Sequence, residues 1–297
     1  MTKILKIKKT PVITDEYVED KYPYFIRDFI KTMDNYNLSI FYHNIKDIRL
    51  VATSKKNMKN KNAGAEYDIY SNTIHYTPSR VKADIMHELL HAATRVELED
   101  GRIAGFMQVL NNGIGIGLGI NEGYTALMDD RYFIDYDEEK KNEVDYVYPT
   151  SKYICALLDY LLGQEHMEEL YMNADLLTLF KELSEYSSPR KTYNFLIRFD
   201  NLHMEADKNM HPNFLKVNKL YEEIIFYLAE CFLTKYKYMY INKEITDEEY
   251  EKSLAFIEFF MDQTLTYYKI LKSRKMSKYL PTLQEKVDIK IKKKTLE

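Results

Sequence analysis

Cysteine is scarce in this chain, with two in 297 residues, Cys155 and Cys231. Both lie in apolar, helix-like stretches and read as reduced core thiols. A disulfide framework and a cysteine-based metal site are therefore excluded. Long apolar runs are also missing: the longest, near residues 154–162 and 114–120, are short or interrupted by Asp159 and by glycines, so no segment is expected to span a membrane. Basic charge is not in excess. Lys and Arg number 42 against 46 Asp and Glu, a net charge of -4, so bulk electrostatics gives no reason to expect a nucleic-acid partner. The first sixteen residues carry lysines but no apolar core of a secretory signal, and no pro-segment is evident; the expected location is cytoplasmic. The glycine-rich stretch GIGIGLGI holds no Gly-x-Gly-x-x-Gly frame and no Gly-Lys-Ser/Thr follows it, which removes nucleotide binding.

What is present fits an ordinary globular protein. Hydrophobic residues make up 45% and charged residues 30%, and 297 residues suffice for one large domain or two lobes. Residues 1–21 read as a strand or an arm, and residues 22–33 as an amphipathic helix. Short strands are expected at 38–42 and 48–53, followed by a polar, cationic loop over 54–62. Residues 66–70 and 73–76 flank Ser71-Asn72 as a hairpin. Thr77-Pro78 then marks the start of a helix that runs to about residue 97. Residues 103–110 and 114–120 form a second hairpin about Asn111-Asn112-Gly113, and Asn121 caps the helix that follows. After a charged connector at 135–145 the chain reads as helical: 151–162, one or two helices over 165–186, a long one over 214–240, and one opened by the capping box at Thr246 and running to about residue 271. A short apolar stretch lies at 193–199, Pro281 breaks the last segment, and the tail 290–294 is expected to fray.

The segment that carries chemistry is Asp84-Ile85-Met86-His87-Glu88-Leu89-Leu90-His91. Two histidines four apart lie on one helix face, a turn above each other, so both imidazoles can reach one ion. Glu88 stands between them, where a general base for an activated water is needed. A third ligand must come from elsewhere. Asn121-Glu122-Gly123-Tyr124-Thr125 offers Glu122, which without the upstream motif would read as a carboxylate favoured by the helix dipole. His166, His203 and His211 have no ligand spacing and take no role, and His75, on the strand before the motif helix, reads as a surface or packed histidine rather than a pocket residue.

His87-Glu88-Leu89-Leu90-His91 followed by Asn121-Glu122-Gly123-Tyr124-Thr125 resembles the gluzincin branch of the zincin metallopeptidases, over residues 66–132. The resemblance implies an α+β, zincin-like fold: a small N-terminal mixed sheet with the active-site helix at 1–120, then a mostly α-helical lobe at 121–297 carrying the third ligand. It implies one zinc ion held by His87, His91 and Glu122, Glu88 as general base, and a peptide or protein substrate. The branch often steadies the oxyanion with a tyrosine or histidine; Tyr148 and Tyr153 are the candidates here. It also implies an edge strand that pairs with extended substrate, assigned to 73–76. One departure stands out. Four residues after the glutamate, where the thermolysin type has an aspartate that orients a ligand histidine, this chain has Ala126, leaving Thr125, Asp129 or Asp130 for that work. Two alternatives stand beside the peptidase: a zincin-fold binding protein with a structural metal and no turnover, and a metal-free helical protein in which the motif is accidental.

Overall fold

Phe25, Ile26, Phe29 and Met33 recur at helical spacing, and a computed structural model of the chain buries all four. The structure describes residues 24–58, 64–77, 81–133, 148–207, 211–267 and 279–294. The expectations for residues 1–21, for Pro78 and for the connector at 135–145 lie outside these. Contacts divide the chain into two compact units, Met1–Leu176 and Leu177–Glu297.

The first unit opens with helix α1 (Tyr24–Thr32), helix α2 (Ser39–Asn44) and strand β1 (Arg49–Ala52). The strand expected at 38–42 is thus helical. Leu38, Phe41 and Ile45 are all buried, and their i, i+3, i+7 spacing is a helical stripe that outweighs the aromatic, β-branched composition. Strands β2 (Ala65–Asp68) and β3 (Thr73–Tyr76) form the expected hairpin, with Ala65 opposite Tyr76 and Asp68 opposite Thr73. β3 also pairs in parallel with β1, from Arg49 opposite Thr73 to Ala52 opposite Tyr76. The order is therefore β1-β3-β2. This corrects the assignment of 73–76 as the edge: both sides of β3 are bonded, and β2 and β1 are the outer strands.

Helix α3 (Val81–Ala93) carries the histidine motif and packs on β2, β3 and the two preceding helices. Ile85, Met86, Leu89, Leu90 and Ala92 are completely buried, so apolar contact surrounds this helix instead of lining one stripe. The helix stops at Ala93, short of 97, because Arg95–Glu97 is strand β4. β4 begins an antiparallel meander with β5 (Gly101–Ala104), β6 (Met107–Leu110) and β7 (Gly115–Ile116), in the order β4-β5-β6-β7. The turn at 111–113 is present, but residues 103–110 are not one arm. Gly105, at φ 52°, turns the chain between β5 and β6.

Helix α4 (Leu118–Tyr132) follows at once, then α5 (Pro149–Leu162) and α6 (Gln164–Met172). α4 packs on both α3 and α5. The expected division at 120/121 therefore falls inside the first unit, where contacts are dense. Gly123 allows the approach to α5, since a Cβ there would meet Ser151 atoms at 2.7–2.8 Å. At its other end α4 is held by Arg131, which pairs with Asp159 of α5 and, at 2.9 Å, with Glu168 of α6. Tyr132 donates to the same Glu168 at 2.8 Å, and Tyr36 also donates to it. One guanidinium and two phenols thus partner the buried Glu168, and the same guanidinium pairs with one oxygen of the buried Asp159.

The regular elements of the second unit among its described residues are all helical: α7 (Leu176–Tyr186), α8 (Pro189–Leu202), a π turn at His203–Asp207, α9 (Phe214–Ile241), α10 (Asp247–Tyr267) and α11 (Leu280–Lys294). α9 is the central member, packing on α8, α10 and α11. The short apolar stretch at 193–199 lies within α8, which Ser188 caps and Pro189 begins. The Thr246 capping box is formed: Thr246 N–H donates to Glu249 at 2.8 Å, and Glu249 N–H returns to the threonine hydroxyl at 3.3 Å. Pro281 does not break the last segment; it occupies the first turn of α11, where its missing N–H costs nothing, and the helix continues to Lys294. Cys155 and Cys231 are buried free thiols. No helix among the described residues is long and apolar enough to cross a membrane.

Candidate metal centre

α3 presents His87 and His91 one turn apart, with ring centroids 5.0 Å from each other and planes at 76°. α4 brings Glu122 to both. Its Oε2 lies 4.0 Å from His87 Nε2, and its Oε1 lies 3.8 Å from His91 Nε2. One ligand atom from each of the three residues falls within 4.8 Å of the others. Ligands about 2.0–2.1 Å from a tetrahedral zinc stand roughly 3.3–3.4 Å apart, so the three side chains would have to close further around an ion. The donor set also fits in chemistry: two neutral imidazoles and one carboxylate suit zinc and leave a position for water or substrate. His91 is nearly sealed, whereas Glu122 keeps 15% of its side-chain surface. The three ligands expected from sequence are therefore brought together.

Two glycines set the angle of Glu122. Gly117 is the N-cap of α4 in the left-handed region, at φ 85°, and a Cβ there would stand 2.0 Å from the Phe106 carbonyl oxygen. The chain turns from β7 into the helix at this point because it has no side chain to place. Asn121 is consequently not the cap. It sits inside the helix, fully buried, its N–H bonded to the Gly117 carbonyl at 2.9 Å. Gly105 clears the other side: a Cβ there would fall 2.4 Å from both Asn121 Oδ1 and the Tyr171 ring.

The residues behind His91 were open in the sequence, and the structure supplies them. Nδ1 of His91 lies 3.1 Å from Asn121 Nδ2 and 3.5 Å from Thr125 Oγ1. Thr125 donates to the Asn121 carbonyl at 2.7 Å and stands 2.6 Å from the Tyr171 hydroxyl. Tyr171 is completely buried, and burial, reinforced by the Glu122 and Glu88 carboxylates, raises its pKa far above the usual phenol value. It keeps its proton and can donate. Of the other candidates for this work, Asp130 instead holds Lys152 at 2.6 Å. No signal in sequence pointed to Tyr171, one of 27 tyrosines and 46 residues from Thr125.

Two more tyrosines face the histidines. Tyr67, on the outer strand β2, lies parallel to the His91 ring at 6.4 Å between centroids and 9° between planes. Its hydroxyl donates to Asn72 at 2.8 Å, and burial raises its pKa. Tyr148 precedes α5 in a left-handed conformation, φ 50°, that a non-glycine residue adopts at a cost. Its ring comes within 6.2 Å of the His87 ring. Tyr153, the other candidate for the oxyanion, is 38% exposed on α5. Glu88 is half-buried on α3, between the two ligands in sequence. Comparison with protein-family models, with curated proteins and with solved structures finds no match to the chain, so the reading of this centre rests on its own geometry.

Proposed function

We propose that the chain is a zinc-dependent metallopeptidase of gluzincin type, a hydrolase of peptide bonds. The observation that carries this reading is the convergence of His87, His91 and Glu122 within 4.8 Å, with Glu88 on the same helix as the two histidines. A single zinc ion held by these residues supplies a Lewis acid for the scissile carbonyl and acidifies a water. The chain's own residues do the rest. Glu88 takes the proton of the attacking water and passes it to the leaving amine. Tyr148, whose ring lies 6.2 Å from that of His87, donates its hydroxyl proton to the oxygen on which negative charge develops. An extended peptide adds to the outer side of β2, where Tyr67 sits in front of His91. A metal site that served structure alone would not need Glu88, which separates this reading from a non-catalytic binding protein.

The test is a pair of variants on the full chain. Glu88→Gln keeps one equivalent of zinc and loses turnover in a peptide-library cleavage screen by 10²-fold or more, the scale of general-base loss. His87→Ala loses the metal itself. Retained hydrolysis in Glu88→Gln would end the mechanism.

A further inference from the structure

We infer that Asn121 and Thr125 compete for Nδ1 of His91, and that Thr125, backed by Tyr171, holds His91 in the ring form able to bind a metal. The inference rests on the metal-site reading above. A neutral imidazole has one N–H and one lone pair. His91 turns Nε2 toward Glu122, at 3.8 Å from Oε1. A metal held there takes the Nε2 lone pair, so the ring proton must sit on Nδ1 and needs an acceptor.

Asn121 presents the wrong atom. The Phe106 backbone N–H donates to Asn121 Oδ1 at 3.0 Å, and a backbone N–H can only donate, so the amide oxygen is committed there. The amide nitrogen, itself a donor, is thereby turned to His91 Nδ1 at 3.1 Å. Rotating the amide by half a turn would set its NH₂ against the Phe106 N–H. The Asn121 contact therefore favours the ring with its lone pair on Nδ1 and its proton on Nε2, the form closed to a metal.

Thr125 presents the right atom. Its hydroxyl donates to the Asn121 carbonyl at 2.7 Å, and Tyr171 donates to it across 2.6 Å. One lone pair of Oγ1 is left for a proton on Nδ1, 3.5 Å away. Loading moves His91 from the first partner to the second. The ring gives its Nε2 proton to water, takes one from water at Nδ1, and stays neutral. Metal affinity is lower than the three donors alone would give, because the Asn121 contact must be surrendered.

Two measurements on the full chain test this. In ¹⁵N NMR of histidine-labelled protein near pH 8, above the ordinary imidazole range, His91 of the metal-free wild type carries its proton on Nε2. After one equivalent of zinc it carries it on Nδ1. In chelator-competition titrations Thr125→Val, which keeps the shape and removes the acceptor, weakens zinc binding about 10–100-fold. Thr125→Ser restores it. Asn121→Asp, with one oxygen for Phe106 and one for His91, tightens binding by a similar factor. A proton on Nδ1 in the metal-free wild type overturns the inference without any variant. So does a folded Thr125→Val protein with unchanged zinc affinity. Failure of the wild type to take up zinc would sink the metallopeptidase reading instead, while the metal-free ring form would still report on the Asn121 contact.

Discussion

Gly117→Ala should damage both the fold and the metal centre, and Gly113→Ala measures how much of that damage is backbone strain. The two glycines have nearly the same conformation, φ 85° and φ 83°. A Cβ on Gly113 meets nothing within 4 Å, whereas on Gly117 it would stand 2.0 Å from the Phe106 carbonyl oxygen and 3.1 Å from its carbon. Holding alanine in the left-handed region costs about 1–2 kcal/mol in either place. Gly117→Ala must in addition push backbone from backbone, with no flexible side chain to yield, and overpacking of that kind costs about 1–3 kcal/mol. The expected losses are thus ~1–2 kcal/mol for Gly113→Ala and ~2–5 kcal/mol for Gly117→Ala. Urea unfolding followed by far-UV circular dichroism reads both as midpoint shifts. The left-handed glycine cap also sets the angle of α4, and Glu122 lies five residues beyond it. Chelator-competition titration should therefore show weaker zinc binding in Gly117→Ala and unchanged binding in Gly113→Ala. Equal destabilisation by the two variants, within about 0.5 kcal/mol, would refute the argument that close backbone approach holds the third ligand.

Three further outcomes probe other parts of the molecule. Leu89 is completely buried on α3, and Leu89→Ala should cost about 2–5 kcal/mol in chemical denaturation through the cavity it opens. Thr246→Ala removes the hydroxyl arm of the capping box, leaving the backbone N–H to Glu249, and should destabilise by about 0.5–2 kcal/mol, with hydrogen exchange quickening first in the opening turn of α10. Burial pushes the Cys231 thiol up to about 12 from its usual 9.0. The folded state then keeps a proton that the unfolded chain releases. Its contribution to stability is whole below pH 9.0 and is lost as pH rises toward 12, a decline Cys231→Ala should lack. Folded protein should also react slowly with an aromatic disulfide reagent at pH 8.

Much of the centre was legible in the sequence because its logic is local. The i, i+4 spacing of His87 and His91 fixes their shared face wherever the segment is helical. The capping box at Thr246 and the Asn-Gly turn at 112–113 are likewise short-range chemistry, and both are formed. Reading failed where local pattern was ambiguous. Residues 38–42 carry strand-like composition, yet Leu38, Phe41 and Ile45 point one way only on a helix. Residues 103–110 read as one apolar arm because the turn at Gly105-Phe106 has a phenylalanine where a polar turn residue is usual, and that ring is buried against Tyr124 and Tyr171. Asn121 looked like a cap from its residue type; the observed cap, Gly117, has no side chain with which to announce itself.

The sequence by itself singled out His87, Glu88, His91 and Glu122, the hairpin before the motif helix and the helical character of the second half. These follow from spacing within a turn, or from propensity summed over a segment. Only the tertiary structure decided that β3 is flanked on both sides, that α4 belongs with α3 in one unit, and that His91 is backed by Asn121, Thr125 and Tyr171. Those facts depend on which surfaces meet. The Phe106 N–H that turns the Asn121 amide lies 15 residues away along the chain, and Tyr171 lies 46 from Thr125. No local periodicity encodes such pairings, because packing of whole elements selects them.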